Sequence, residues 1–313
     1  MRRSRWFIGL ALTTAFLTIG LIVFGAVVRV TDSGLGCGND WPLCHGTIFP
    51  PLDNLTAWIE WLHRLFAALI GVFGLVTLGV AIYAYRKGNR PVLYMTIIAA
   101  VLFMVQSLLG AVVVVLDLPP TFVTLHLGTA MLLLGALLTA ALMAAYQPKQ
   151  HYRSDGFTML TYITTALSLV IILTGALVRG SGATLACLDW PLCNGAILPV
   201  QQGQWAMIHM FHRFAVAAFG VTLILLVWSA FKNRPTRTQR WLAVCAFAAY
   251  LTQAAIGAAF VLTTAAPLWG ALHVLFAALT WALLVSLSVI ETLNTRERFS
   301  QTEWQPQSEP ALN

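Results

Sequence analysis

The sequence predicts an all-α integral membrane protein: eight transmembrane helices forming two tandem four-helix bundles, related by a pseudo-twofold axis along the membrane normal. Three observations carry this expectation. Hydrophobic residues make up 59% of the 313-residue chain and charged residues only 9%, where a soluble domain carries about 25% charged residues. Eight apolar stretches are long enough to cross about 30 Å of hydrocarbon as helices of roughly 20 residues. The second half of the chain also repeats motifs of the first, in order. A formal net charge of +7 would point to nucleic acid in a soluble protein, but here the placement of the basic residues outweighs their sum. No nucleic-acid partner is expected; membrane lipid is.

The spans fall at about 6–30, 57–85, 91–116, 121–146, 157–180, 204–231, 239–263 and 268–293. The first follows Arg2, Arg3 and Arg5 and ends without a small-residue cleavage site, so it reads as a retained helix. A long loop, about 31–56, leads to the second, which holds Glu60, His63 and Arg64. The third follows the basic turn Arg86-Lys87-Gly88-Asn89-Arg90. The fourth, after the short turn at 117–120, holds His126. A polar linker at 147–156 separates the halves. The fifth span then leads through a second long loop, about 181–203, to the sixth, with His209, His212 and Arg213. The seventh follows the loop from Lys232 to Arg240, and the eighth, after 264–267, holds His273. The domain reading is therefore 1–146, a linker at 147–156, 157–296, and a cytoplasmic tail at 297–313 whose Gln, Glu, Ser and Pro content predicts disorder.

Basic residues set the orientation. The N-terminus, the 86–90 turn, Lys149 and Arg153 of the linker, the Lys232 to Arg240 loop, and Arg296 and Arg298 mark one side as cytoplasmic. The loops at 31–56, 117–120, 181–203 and 264–267 contain no Lys or Arg. Four arginines remain, Arg29, Arg64, Arg179 and Arg213, each near the outer end of a span.

These four are part of the repeat. Phe24-Gly25-Ala26-Val27-Val28-Arg29 returns as Thr174-Gly175-Ala176-Leu177-Val178-Arg179, and Trp41-Pro42-Leu43-Cys44-His45-Gly46 as Trp190-Pro191-Leu192-Cys193-Asn194-Gly195. Gln106 and Gly110 correspond to Gln253 and Gly257, and Leu125-His126 to Leu272-His273. Four is an even number of spans, so both copies keep one orientation. The cysteine pairs Cys37/Cys44 and Cys187/Cys193 occupy matching outer loops and read as disulfides in an oxidising compartment. Metal binding is a weaker reading, kept open by His45 beside Cys44. Cys245, alone in a span, reads as a small hydrophobe. Trp41 and Trp190 read either as headgroup anchors or as parts of lids over the helix ends.

Histidines carry the chemistry. His45 and His151 lie outside the spans; His63, His126, His209, His212 and His273 lie inside them. In each copy one histidine comes from the second helix and one from the fourth, at similar depth. Two facing imidazoles in a helical bundle are natural axial ligands of a haem. The pattern therefore gives two candidate porphyrin sites, His63/His126 and His212/His273. Arg29, Arg64, Arg179 and Arg213 are candidate partners for propionates, or else snorkelling anchors. Glu60 stands three residues before His63, where the second copy has His209. A carboxylate beside a porphyrin can move protons or stabilise developing positive charge; alternatively it is buried structurally against Arg64. This asymmetry marks the first site as the catalytic candidate and the second as a permanent cofactor site. Gly71, Gly74, Gly110 and Gly128 read as close-packing positions or as room for a ring, and Gln106 and Gln253 as polar groups without an assigned role.

In its Glu60-x-x-His63-Arg64, His126, His212-Arg213 and His273 motifs, its duplicated span ends and its loop cysteine pairs, the chain resembles haem A synthases of the bacterial type over about 6–293. The resemblance implies oxidation of the C8 methyl group of haem O to a formyl group by successive hydroxylation, giving haem A for cytochrome oxidases. It further implies a haem b held by His212 and His273, and haem O or haem A held by His63 and His126. Glu60 is then the catalytic carboxylate, the disulfides Cys37–Cys44 and Cys187–Cys193 shape the outer caps, and the protein sits in the bacterial cytoplasmic membrane. A haem O synthase and an electron donor are the implied partners. The competing readings are a dihaem bis-histidine electron-transfer cytochrome, which needs no Glu60, and a haem transporter or chaperone, which leaves its ligand unchanged.

Overall fold

The computed structural model describes residues 4–148 and 151–295. Arg2, Arg3, Lys149, Arg296, Arg298 and the 297–313 tail lie outside the described residues. Among those described, eight helices are long and apolar enough to span a membrane: α1 (Arg5–Val30), α2 (Leu55–Tyr85), α3 (Arg90–Val115), α4 (Pro120–Ala145), α5 (Gly156–Gly180), α6 (Gln204–Asn233), α7 (Arg237–Leu262) and α8 (Pro267–Thr295). Each expected span coincides with one helix, with ends shifted by a few residues.

Local chemistry fixes several ends. The Phe7 N–H donates to Ser4 Oγ (3.3 Å) and the Ala57 N–H to Asn54 Oδ1 (3.1 Å), side-chain caps on α1 and α2. Asp155 and Thr158 form a capping box on α5. Proline in the first turns of α3 and α4 costs nothing, since the N–H it lacks has no intrahelical partner there. Inside the spans, hydroxyls return to the preceding turn, as Thr14 does to the Leu10 carbonyl, Thr77 to Phe73 and Thr96 to Val92, each at 2.8 Å. No polar hydrogen of these residues is then left facing lipid.

Packing gives two rings of four. α1 packs on α2 and α4, and α3 on α2 and α4; α5 packs on α6 and α8, and α7 on α6 and α8. α2 and α4 are thus diagonal in one ring, and α6 and α8 in the other. The rings meet through α1 with α8, α4 with α5, and α4 with α8, a set of contacts that maps onto itself when the halves are exchanged. Met131, Leu134, Ala136 and Leu137 of α4 are buried against Ala278, Trp281 and Val285 of α8. The Trp281 indole donates to the Met131 carbonyl at 2.7 Å, and Gly135 leaves room for its ring.

Opposite the long loops, a buried polar cluster ties the linker to the second ring. Arg234, 3% exposed, chelates Asp155 with both terminal nitrogens (2.8 and 2.7 Å) and bonds the fully buried Glu291. Glu291 also accepts from Thr158 (2.7 Å), Gln239 (2.8 Å) and Tyr152 (3.2 Å). Sequence reading assigned Arg234 only to a basic loop; its partners Asp155 and Glu291 stand 79 and 57 residues away, beyond the reach of local pattern.

Candidate functional site

The two long loops fold alike. Cys37 is bonded to Cys44 and Cys187 to Cys193, with Cα atoms 4.4 and 4.6 Å apart. In each, an aspartate accepts from the glycine amide six residues on: Asp40 from Gly46 (2.9 Å) and Asp189 from Gly195 (2.8 Å). His45 and Gly46, like Asn194 and Gly195, take positive φ and turn the chain there. Asp189 is held below the usual carboxylate range by these amide hydrogen bonds, Gly195 first. Trp41 and Trp190 are about half exposed. Cys245 is a free thiol on an exposed face of α7.

Arginines fasten the loops to the helices. Arg64 donates to the Asp40 and Leu43 carbonyls (3.0 and 2.9 Å), and Arg213 to the Leu192 and Pro191 carbonyls. One turn earlier, Arg64 pairs with Glu60 while Arg213 meets His209 Nε2 at 3.3 Å. Glu60 is 3% exposed, and its second oxygen accepts the Cys37 N–H at 2.9 Å. The approach depends on Gly36: a Cβ there would strike the Thr56 carbonyl and lie 2.5 Å from Ala57 N. Sequence reading found Glu60 but missed Gly36 and the Cys37 amide, because loop-to-helix docking leaves no periodic signal.

Arg29 and Arg179 sit at the junction of the rings, near the start of the first long loop. Arg179 donates to the Arg29 carbonyl (3.1 Å) and to Asp32 (3.3 Å). The Nε atoms of both are buried with no hydrogen-bond partner among the described residues.

His63 lies eight residues after Leu55, His126 six after Pro120, His212 eight after Gln204 and His273 six after Pro267. At 1.5 Å per residue all four stand about 9–12 Å below the helix starts. Each pair belongs to the diagonal helices of its ring. The remaining diagonal supplies glycines, and a Cβ on any of them would crowd an imidazole: Gly25 against His63 (3.2 Å), Gly110 against His126 (3.2 Å), Gly175 against His212 (3.1 Å) and Gly257 against His273 (3.0 Å). The rings thus repeat one device, a histidine seated in the notch of a neighbouring helix. Gly110 falls in this set; Gly71 instead admits Phe103 (2.8 Å) and Gly128 Leu173 (3.0 Å), while Gly74 meets nothing within 4 Å.

Hydrogen bonds to the imidazoles differ between the halves. Nδ1 of His212 lies 2.8 Å from Thr174 Oγ1, and Nδ1 of His273 lies 3.1 Å from the Gln253 carbonyl. Nδ1 of His63 and of His126 is buried without a partner among the described residues. Phe24, aligned with Thr174, meets His63 edge-on with centroids 5.8 Å apart. The Gln106 amide instead contacts His126 Nε2 at 3.1 Å. His209 is buried on the face it shares with His212, bonded to Arg213 through Nε2, while its Nδ1 also lacks a partner among the described residues.

Fold and candidate site together define a class: a multi-span helical membrane protein with two glycine-notched histidines on the diagonal helices of each ring and a buried carboxylate one turn from one of them. The profile of the COX15-CtaA family, described as cytochrome oxidase assembly protein, matches residues 8–285, and the chain belongs to this family. It is similar to a protein named "Heme A synthase" from Alkalihalophilus pseudofirmus, with 31% identity covering 90% of this chain and 97% of that one. Proteins of the same name from Halalkalibacterium halodurans (32% identity; 86% and 90% covered) and Shouchella clausii (33%; 90% and 96%) are similar to the same extent.

Proposed function

We propose that this protein is an oxidoreductase that converts haem O to haem A for cytochrome oxidase, by successive hydroxylation of the C8 methyl group to a formyl group. Membership of the COX15-CtaA family and the "Heme A synthase" relatives support the reaction. The observation that carries the site assignment is the glycine-notched histidine pair repeated in the two rings, with Glu60 beside only one of them. On this reading haem O, and then haem A, is held by His63 and His126 in the half formed by 1–146, with Glu60 as the catalytic carboxylate. His212 and His273 hold a haem b in the half formed by 157–296. The halves are related by a pseudo-twofold axis along the membrane normal.

The residues present suit porphyrins. Paired imidazoles on diagonal helices would ligate a haem iron, and the four glycines make room for their rings between neighbouring helices. Arg29, Arg64 and Arg179 each retain a buried Nε–H without a partner among the described residues, available for propionates; Arg213 is the fourth candidate, and its terminal nitrogens hold loop carbonyls as those of Arg64 do. Haem b, when bound, supplies one-electron transfer. This chain's own part in the first half is to hold substrate between two imidazoles and to keep an oriented carboxylate at the site. Arg64 and the Cys37 amide hold the Glu60 carboxylate in one orientation, where it would accept a proton released as the methyl group is oxidised. The disulfide loops cap the site on the extracytoplasmic side of the bacterial cytoplasmic membrane, with both termini inside. A haem O synthase supplies the substrate and a separate donor the electrons.

The test is to express the protein aerobically with a haem O synthase, extract the pigments and identify them. Haem A or its hydroxylated precursor is expected, and is lost with Glu60→Ala. Recovery of haem O and haem b alone would remove the synthase assignment and leave the dihaem cytochrome.

A further inference from the structure

The hydrogen bonds to the imidazoles distinguish the two sites in a way the repeat motifs do not. Thr174 donates its own hydroxyl hydrogen to the Ile171 carbonyl at 2.8 Å, so its oxygen can only accept from His212 Nδ1. A backbone carbonyl also only accepts, so Gln253 sets the same tautomer on His273. Both second-half rings therefore carry hydrogen on Nδ1 and a lone pair on Nε2, the state of a histidine ready to bind iron. An acceptor at Nδ1 also holds the ring's orientation and raises its basicity.

The first half lacks the hydroxyl acceptor, and its backbone carbonyl is less well placed. Phe24 replaces the threonine, leaving His63 Nδ1 unbonded among the described residues. The Gln106 carbonyl comes near His126 Nδ1 without reaching hydrogen-bond geometry. Its side-chain amide occupies Nε2 at 3.1 Å, and whichever way that amide is turned, iron must displace it. Gln106 Oε1 is itself buried and unpartnered among the described residues, so the present contact leaves both residues incompletely bonded.

We propose that Thr174 is a positioning residue that makes the second-half haem a permanent resident, and that Phe24 and Gln106 keep the first-half ligands exchangeable, so that haem O enters and haem A leaves. Ligand residence is thus set by what touches the imidazoles, not by the imidazoles themselves. This rests on the haem assignment of the preceding section.

The test uses the purified holoprotein, with redox titration and the rate of haem transfer to apomyoglobin as readouts. Thr174→Val, which keeps shape and removes the acceptor, should raise the second-site reduction potential and speed loss of its haem about tenfold; Thr174→Ser should restore both. Gln106→Leu should slow haem release from the first site by a similar factor. Wild-type potential and release in Thr174→Val overturn the proposal, as does unchanged first-site release in Gln106→Leu, which decides the matter should Thr174→Val fail to fold. His212→Ala separates the two levels. A haem spectrum unaltered by that substitution removes the haem assignment, whereas loss of one haem there with wild-type behaviour in Thr174→Val removes only the present inference.

Discussion

Gly36→Ala tests whether the loop positions the carboxylate. The added Cβ would strike the Thr56 carbonyl and lie 2.5 Å from Ala57 N, both backbone atoms of the first turns of α2. Ordinary contact is about 3.5 Å, so the loop must withdraw by roughly 1 Å. The Cys37 N–H, now 2.9 Å from Glu60, then passes beyond hydrogen-bonding distance. A hydrogen bond to a charged group is worth about 1.5–3 kcal/mol, and a misplacement of about 1 Å at a reacting centre costs on the order of 100-fold in rate. The expected result is haem A output lowered about 100-fold, with both haems retained and the thermal midpoint lowered by a few degrees. Output is measured by pigment extraction from cells co-expressing a haem O synthase, and stability by melting in detergent. Gly88→Ala, with open space around its Cβ position, serves as the control. Full haem A output from Gly36→Ala at wild-type stability would refute the view that loop contact orients Glu60.

Glu60→Gln keeps an acceptor for the Cys37 amide and removes the charge, so it should retain both haems while haem A formation falls at least 100-fold; normal output would make the carboxylate structural. Glu291→Ala leaves Arg234 buried with, among the described residues, only Asp155 as its ionic partner and should cost about 3 kcal/mol, read as a fall of several degrees in melting temperature. Asp155 is held down to about 2, first by its hydrogen bonds to Arg234, so its stabilising effect is complete above the ordinary carboxylate value and disappears as pH falls through about 2. Its side chain is 43% exposed, which screens that contribution to about 1 kcal/mol. Asp155→Asn should therefore melt lower than wild type at pH about 6, with the gap closing on acidification.

Much of this architecture is legible in the sequence because it depends on composition and spacing. Eight apolar runs become eight helices, and the positions of His63, His126, His212 and His273 along them follow from one rise per residue. Both disulfides occur where the paired cysteines placed them. Gly25, Gly110, Gly175 and Gly257 stood in the repeat, but their role needs the packing of neighbouring helices to appear. The Arg234 to Glu291 cluster and the contact of Cys37 with Glu60 join residues far apart in the chain and on different elements. Such pairings have no period, and no local pattern announces them. Arg64 and Arg213 show the opposite case: recognised as unusual charges in spans, they prove to hold loop carbonyls as well.

Duplication explains how two such sites can differ without two folds. What the halves share is framework: the glycine notches, the loop aspartates Asp40 and Asp189, and the arginines that anchor the loops. Three of the differences between them touch an imidazole or stand one turn from it: Glu60 against His209, Phe24 against Thr174, and the side chain of Gln106 against the carbonyl of Gln253. Part of the packing that joins the rings lies deeper. Trp281 stands eight residues beyond His273, about 12 Å along α8, and bonds Met131 on the opposite half. Substitutions separated by more than about 10 Å and sharing no partner act nearly independently. The residues around the imidazoles can therefore diverge while the junction of the rings stays fixed, which allows one scaffold to carry both an exchanging site and a resident one.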